Sequence, residues 1–171
     1  MTSPREVAGF RGLSHLTPAG DARMVDVSAK AETVREAVAR ATLKMKPATL
    51  AAVRAGQLKK GDVLGVARTA GIIAAKRTPD LIPLCHPLRL TGIDIEFALD
   101  ARKSTATIEA RVRTVDKTGV EMEALTAAAV AGLTVYDMVK AVDRDVVLTD
   151  LCLVEKSGGK SGHWRRQRNK P

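Results

Sequence analysis

The chain has 171 residues, of which 45% are apolar, and a formal net charge of +9 from 28 Lys and Arg against 19 Asp and Glu. This length favours a single domain. The sequence contains no run of about 18 apolar residues, which a membrane span would need, and no N-terminal apolar segment of the kind found in signal peptides. We therefore expect a cytoplasmic protein in which Cys85 and Cys152, far apart and in no CxxC pair, stay reduced.

The core must be built mainly from small side chains, because only four residues are aromatic: Phe10, Phe97, Tyr136 and Trp164. Elements filled by Ala, Val and Leu pack closely, and a small domain buries limited area. Burial of further surface between copies of the chain would stabilise it, so we expect self-association.

The first elements along the chain are an ambiguous segment and two helices. Residues 31–45 combine β-branched residues with alternating charges, so either a helix or a strand is permitted and periodicity does not choose between them. Pro47–Ala55 is predicted as a helix that stops at Gly56. Asp62 is predicted to cap a second, alanine-rich helix over Val63–Lys76.

Prolines mark the middle of the chain. Pro79, Pro83 and Pro87 are expected to break any helix in residues 78–88 and to make this segment a rigid loop.

The second half of the chain predicts two strands, a long helix and a last strand. Apolar and polar residues alternate over residues 93–97 and 105–113, with a hairpin turn at 100–103. Residues 119–142 are predicted to form the longest helix, and residues 145–154 the last strand. If the ambiguous segment is a strand, the order is βααββαβ, which indicates an α+β domain with helices on one face of an antiparallel sheet.

A glycine-rich segment, residues 156–162, contains two lysines, two serines and three glycines. Glycine lets main-chain N–H groups approach an anion, and lysine supplies a charge that suits phosphate. The segment is not a P-loop, since its glycines are not spaced as that motif requires and no helix is predicted after it. The alternative interpretation is a flexible Gly/Ser tail.

The proline-rich segment, residues 81–88, places Cys85 and His86 in an apolar loop. His86 could bind phosphate or act as an acid or base near neutral pH. The competing interpretation is a packed loop in which the histidine bonds a buried carbonyl. The few histidines and cysteines show no ligand spacing, so no metal site is predicted.

Several charged residues lie on or beside the predicted helices. Asp137 and Lys140 are three residues apart and share a helix face, either as an exposed ion pair or as an acid–base pair in a pocket. Glu121 and Glu123 lie at the start of that helix, where acids are favoured by its dipole. Lys60 precedes the second helix, either as part of an anion site or as a solvated loop lysine.

Six groups of segments, taken in this order, resemble the motifs of one protein family: residues 13–16 with 24–28, 60–63 with 70–72 and 74–76, 81–88, 118–126, 135–138 with 140–142, and 156–162. The family is cyclic pyranopterin monophosphate synthase, the molybdenum cofactor biosynthesis protein C family. The resemblance covers residues 13–162, the expected synthase domain. Residues 1–12 are expected to form a flexible N-terminal tail, and residues 163–171 a basic C-terminal tail.

The resemblance implies a fold, an assembly and a reaction. It implies a ferredoxin-like α+β subunit with a strand at 31–45, in a homohexamer built as a trimer of dimers with active sites at the dimer interface. The implied enzyme is a lyase that converts (8S)-3′,8-cyclo-7,8-dihydroguanosine 5′-triphosphate to cyclic pyranopterin monophosphate with release of pyrophosphate. No cofactor is implied as required, and whether Mg²⁺ accompanies the triphosphate stays open.

Residue roles follow from the same resemblance, position by position. Asp137 would be the principal acid/base residue, assisted by Lys140, with Lys60 as a further catalytic residue. The residues implied to bind substrate are Leu84, Cys85, His86, Met122, Glu123, Glu121, Arg35 and Lys156. None is implied to bind a metal.

The alternative function is that of a non-enzymatic, basic RNA-binding protein. Ferredoxin-like sheets bind RNA through aromatic residues on strands, and here only Phe97 lies on a predicted strand. We therefore expect a small-molecule substrate, with neither nucleic acid nor membrane as a partner. Deleting residues 163–171 would distinguish the synthase hypothesis from the RNA-binding hypothesis, because a synthase is expected to keep its activity without this basic tail.

Overall fold

The computed structural model describes residue 17 and residues 20–167. The predicted N-terminal tail and the first motif, residues 13–16, lie outside this range. The elements are β1 Thr33–Lys44, α1 Pro47–Ala55, α2 Val63–Lys76, α3 Thr78–Leu81, β2 Leu90–Asp100, β3 Thr105–Asp116, α4 Glu121–Val139, β4 Val147–Ser157 and β5 Trp164–Arg165.

One antiparallel sheet organises the chain, with strand order β2-β3-β1-β4-β5. The two long helices cover one of its faces: α4 packs on β1, β3 and β4, and α2 packs against α4 and β2. This is the predicted α+β domain, with the ferredoxin-like order in its first four strands. The sheet places the two ends of α4 at opposite ends of the subunit, which decides where the charged residues of α4 can act.

The ambiguous segment at residues 31–45 is a strand. Ala37, Ala39 and Ala41 are buried at alternate positions, which is the period of a strand with one face against the core. Arg40 lies on the other face, where it pairs with Glu109 of β3 at 2.8 Å. The charged residues that alternate with these alanines along β1 thus lie on the sheet face that the helices do not cover.

The predicted helix boundaries of α1 and α2 are confirmed. Gly56 ends α1 with a left-handed φ of +65°, and the Asp62 carboxylate accepts the Gly65 main-chain N–H at 2.9 Å at the start of α2. The start of α1 is bonded to a residue far along the chain: the buried carboxylate of Asp143 accepts the Lys46 N–H and the Thr49 hydroxyl, both at 2.9 Å. These bonds lower the pKa of Asp143, the Lys46 N–H having the largest effect.

The expectation of a loop without any helix at residues 78–88 is wrong in its first part, because Thr78–Leu81 forms the single-turn helix α3. Pro79 lies in the first turn, where a helix needs no N–H donor and the fixed φ of proline suits the backbone. The long helix is also shorter than predicted and ends at Val139.

The C-terminal boundary differs most from the sequence-based expectation. β4 extends to Ser157, three residues beyond the predicted end, and the expected tail contributes the short strand β5. The glycine-rich segment is therefore the connection of a hairpin and not the start of a free tail.

Helix α4 is long and apolar enough to cross a membrane, with a mean hydropathy of 1.3, and half of that stretch is buried inside the protein. Its contacts with three strands and with α2 account for this composition. Close packing between α2 and α4 also explains the small residues at their contact. A Cβ on Gly71 of α2 would lie 2.8 Å from the main-chain oxygen of Ala127 of α4.

Candidate active site

The first charged cluster surrounds Asp137 in the last turns of α4. Lys140 Nζ lies 2.6 Å from one carboxylate oxygen of Asp137. Lys60, from the loop before α2, approaches the other oxygen at 3.0 Å and also donates to the Asp137 main-chain oxygen at 2.8 Å. The three residues that the resemblance assigned to catalysis are thus brought together, although Lys60 is distant in sequence.

The two ammonium groups fix the charge of this cluster. Hydrogen bonds from Lys140 and then Lys60 hold the pKa of Asp137 below its usual value, and the same carboxylate raises the pKa of Lys140. Asp137 is therefore an ionised acceptor at neutral pH, and Lys140 a charged donor. About half of each side chain is exposed (55% for Asp137, 52% for Lys140), so both groups can reach a ligand.

A hollow of about 360 Å³ adjoins this cluster and is lined by Lys60, Tyr136, Lys140, Ala141 and Arg144. Arg144 adds a third cation beside the two lysines. An acid–base pair, a hollow and several cations in one place suit proton transfer on an anionic substrate. The interpretation of Asp137 and Lys140 as an isolated surface ion pair is thereby disfavoured.

The second charged cluster lies at the opposite end of α4, around a cavity of about 760 Å³. Lys156 Nζ pairs with the Glu121 carboxylate at 2.8 Å. The positively charged residues that line this cavity are Lys30, Arg35, Lys117, Lys156 and Lys160. Its volume and its excess of cations suit a large anion.

Arg35 lies under the glycine-rich segment. Its Nη2 donates to the main-chain oxygen of Lys117 at 3.3 Å, while its Nε is buried and has no hydrogen-bond partner within the described part of the chain. A Cβ on Gly159 would overlap the guanidinium of Arg35, and one on Gly158 would overlap the main-chain oxygen of Val34. Glycine is thus required here for close approach, and an unsatisfied donor remains beside the cavity.

The segment with Cys85 and His86 packs near the start of α4. His86 Nε2 donates to the Val25 main-chain oxygen at 2.8 Å, which matches the packed-loop interpretation. Burial raises the pKa of the Cys85 thiol, and the Glu123 carboxylate raises it further. Leu84 is half-buried and Met122 is 37% exposed.

Glu123 is only 3% exposed. Burial is the main cause that raises its pKa from 4.5 to about 7; its own main-chain N–H acts in the opposite direction, and Glu121 adds to the rise. The expectation that Glu123 serves the helix dipole is therefore incomplete, since a carboxyl with a pKa near 7 can carry a proton at neutral pH.

This shift predicts a pH-dependent stability. Between pH 4.5 and about 7 the folded chain holds the Glu123 proton that the unfolded chain has released, so the free energy of unfolding falls as the pH rises through this window. The fall is at most on the order of 3 kcal/mol, which is the free energy that corresponds to the pKa shift from 4.5 to about 7. Glu123→Gln should remove this part of the slope in urea unfolding measured from pH 4.5 to 8.

The control for that experiment is Glu96→Gln, an exposed carboxylate on β2, which should leave the slope as in the wild type. Equal slopes for the wild type and Glu123→Gln would contradict the raised pKa.

The two charged clusters are far apart within one chain. Glu121 begins α4 and Asp137 lies near its end, which separates them by about 24 Å of helix axis at the usual rise per residue. Lys60, Asp137 and Lys140 therefore form one group, and Arg35, Glu121 and Lys156 another. His86, Cys85, Met122 and Glu123 lie nearer the second group.

Sequence reasoning missed several cations that the fold brings to these sites. Lys30, Lys117 and Arg144 line the two cavities, yet none of them belongs to a motif that predicts a ligand. The only available signal was their proximity in sequence to recognised motifs: Lys117 directly precedes residues 118–126, and Arg144 follows residues 140–142.

The RNA-binding alternative depended on Phe97. The ring packs against the core, and the Arg68 guanidinium of α2 lies 5.5 Å from its centroid. Phe97 thus faces the helices and offers no stacking surface to a base. Among residues 17 and 20–167, no group of three His, Cys, Asp or Glu side chains is placed to hold a metal ion.

The fold and the two clusters define a class of protein: single-domain, ferredoxin-like α+β proteins with cationic cavities at the two ends of one long helix. Residues 24–159 match the model of the MoaC family. The chain is 63% identical over 155 residues to the cyclic pyranopterin monophosphate synthase of Heliobacterium modesticaldum, covering 91% of this chain and 98% of the relative. It is 60% identical to the synthase of Pelotomaculum thermopropionicum, covering 91% and 92% of the two chains. The chain belongs to the MoaC family.

Proposed function

We propose that this chain is a cyclic pyranopterin monophosphate synthase, a lyase of molybdenum cofactor biosynthesis, as the names of its relatives indicate. The proposed substrate is 3′,8-cyclo-7,8-dihydro-GTP, and the products are cyclic pyranopterin monophosphate and pyrophosphate. The observation that carries the proposal is the Asp137 carboxylate held between the ammonium groups of Lys60 and Lys140.

The reaction needs proton transfers at several heteroatoms. A purine-derived ring opens and is rebuilt as a pterin, so protons must leave and arrive at more than one nitrogen or oxygen. Asp137, ionised at neutral pH, is proposed as the base, and Lys140 as the donor that assists it. Each such residue contributes roughly 10²–10⁴-fold to the rate. Lys60 would hold the Asp137 carboxylate from the other side and add charge.

The reaction also needs stabilisation of phosphate charge. A hydroxyl group of the substrate gives its proton to a base and attacks the α-phosphorus. The bond between the α-phosphorus and the oxygen that bridges the α- and β-phosphates breaks, and pyrophosphate leaves with that oxygen and its negative charge. Preorganised cations stabilise that charge in the transition state. Arg35 and Lys156 around the 760 Å³ cavity are suited to this task, and Mg²⁺ bound through the phosphates would add to it. That no cofactor is required stays a prediction.

The proposed assembly is a homohexamer, a trimer of dimers with each active site shared across a dimer interface. The separation of the two clusters by the length of α4 supports a shared site, because one small substrate does not span about 24 Å. A second chain would bring its Arg35 and Lys156 to the Asp137 cluster of the first. We further propose that the enzyme acts in the cytoplasm, without nucleic acid or membrane as a partner.

Lys140→Ala tests the chemistry. The wild type is expected to convert enzymatically prepared 3′,8-cyclo-7,8-dihydro-GTP, with the product followed as its oxidised fluorescent pterin. Lys140→Ala should lose roughly 10²-fold or more in kcat, because the donor beside Asp137 is removed.

A matched control is Lys103→Ala, which breaks a different i,i+3 pair, the one with Asp100 in the hairpin turn. This variant should turn over as the wild type does. A folded wild-type protein that forms no product would overturn the proposed function, and normal turnover by Lys140→Ala would overturn the role of Lys140.

A further inference from the structure

We infer that β5 is a positioning element of the anion site: by pairing with β4 it closes the glycine-rich segment into an ordered loop that holds phosphate. Arg166, immediately after β5, is the positioning residue that secures it. This inference rests on the proposed function for its substrate. The sequence had assigned residues 163–171 to a tail outside the domain, and their deletion was expected to spare activity. Because β5 lies within these residues, that expectation is withdrawn, and the deletion no longer separates a synthase from an RNA-binding protein.

Three contacts anchor β5 to the edge of the sheet. The Arg166 main-chain N–H donates to the Val154 oxygen at 2.8 Å, and the Arg166 Nε donates to the Leu153 oxygen at 2.7 Å. His163 Nε2 lies 2.7 Å from the Glu155 carboxylate. Register pairs Glu155 with Arg165 and Lys156 with Trp164, so the cavity lysine Lys156 is directly beside the clamped strand.

The anchored strand determines the return path of the loop. Gly158, Gly159 and Gly162 all have positive φ, and the Gly162 N–H donates to the Gly159 oxygen at 3.1 Å. Lys160 and Ser161, between these glycines, line the 760 Å³ cavity. Without β5, the glycine-rich segment would be anchored to the sheet only where it leaves β4. Lys160 would then lie in a segment with no anchor on its C-terminal side.

Preorganisation is the physical reason that this matters. A glycine-rich segment has many accessible conformations, and ordering it on binding opposes affinity. β5 orders the loop before the anion arrives, but it contributes no side chain to the Asp137 cluster, and the cations Arg35 and Lys156 are carried by β1 and β4. Loss of β5 should therefore weaken phosphate binding and leave the chemical step nearly unchanged.

The Arg166 side chain reinforces the strand. Its guanidinium lies 5.8 Å from the centroid of the Trp164 ring, over its face, and a cation–π contact of this kind stabilises modestly at exposed sites. The same side chain thus touches the β4 main chain and the aromatic side chain of β5.

The test compares Arg166→Pro with Arg165→Pro in the full chain. Each variant loses one arginine and gains one proline, so net charge and composition are equal. Only Arg166→Pro removes the N–H that pairs with Val154. The Arg165 N–H points away from β4, since successive N–H groups of a strand alternate in direction.

Binding of inorganic pyrophosphate is measured by calorimetry, and KM and kcat are measured with the cyclic dihydro-GTP substrate. Arg166→Pro should weaken pyrophosphate binding roughly tenfold and raise KM similarly, with kcat within about twofold of the wild type. Arg165→Pro should match the wild type in all three. Amide hydrogen exchange of residues 158–162 should become faster only in Arg166→Pro.

The remaining outcomes separate this inference from the proposed function. Equal pyrophosphate binding by the wild type and Arg166→Pro, or a loss confined to kcat, would overturn the role of β5. No pyrophosphate binding by the wild type would overturn the anion site itself. Binding that depends on β5 without any turnover would support this inference and overturn the synthase. If Arg166→Pro melts early, Arg166→Ala, which keeps the main-chain N–H, should show a smaller effect of the same kind.

Discussion

Asp137→Asn should lower kcat by roughly 10²–10⁴-fold while the protein stays folded. An amide cannot accept the proton that an ionised carboxylate accepts, and its NH₂ group would face a lysine ammonium that now donates to a carboxylate oxygen at 2.6 Å. Turnover of the cyclic dihydro-GTP substrate is the measurement, with thermal melting to verify the fold. Near-normal turnover would exclude Asp137 as the acid/base residue.

Asp100→Asn is the matched control, because Asp100 also accepts hydrogen bonds and also pairs with a lysine three residues away. It is the last residue of β2 and lines neither of the two cavities, so turnover by Asp100→Asn should equal that of the wild type.

A mixing experiment extends the Asp137 result to the shared site. Asp137→Asn and Lys156→Ala are each expected to be poorly active alone. If each site takes Asp137 from one chain and Lys156 from its partner, mixed dimers regain one intact site. Random reassortment of equal amounts should then restore roughly a quarter of wild-type activity. No recovery, with subunit exchange verified, would show that the two clusters serve different sites or act within one chain.

The second large effect is expected for Gly158→Ala. Gly158 has a φ of +97°, and a Cβ there would overlap the main-chain oxygen of Val34, which cannot move without moving β1. Backbone strain of this kind costs roughly 1–3 kcal/mol, and relief of the overlap would displace the loop from Arg35. Pyrophosphate affinity should fall by more than roughly tenfold, measured by calorimetry.

Gly162→Ala controls for the strain alone. Gly162 also has a positive φ, of +61°, but a Cβ there would meet open space. Its loss of affinity should be much smaller than that of Gly158→Ala. Equal losses in the two variants would show that the flexibility of the loop, and not its close approach to β1, determines anion binding.

Local sequence was sufficient for most of the secondary structure. The strands β2 and β3, the helix stop at Gly56 and the cap at Asp62 are signalled within a few residues of where they occur. The strand at residues 31–45 needed the family resemblance, because its mixture of small and β-branched residues is compatible with two periods. The prediction that Pro79 excludes a helix was wrong, because proline breaks a helix only in its interior and Pro79 lies in the first turn of α3.

The candidate residues were identifiable from their motifs, but their grouping was not. Asp137 and Lys140 share a helix face by spacing alone, whereas the approach of Lys60 to the same carboxylate depends on how the loop before α2 packs beside the end of α4. The same holds for Asp143, whose bonds to Lys46 and Thr49 join distant parts of the chain.

The α+β layout, the family and the chemical types of the site residues follow from the amino-acid sequence alone, because periodicity, capping and motif spacing are local properties. The fold was needed to show that Glu123 is buried with a pKa of about 7, that Arg35 lies under Gly159, and that the expected tail contains a strand. Burial, close approach and strand pairing depend on residues far apart in the chain, and they arise only when the sheet and α4 are packed together.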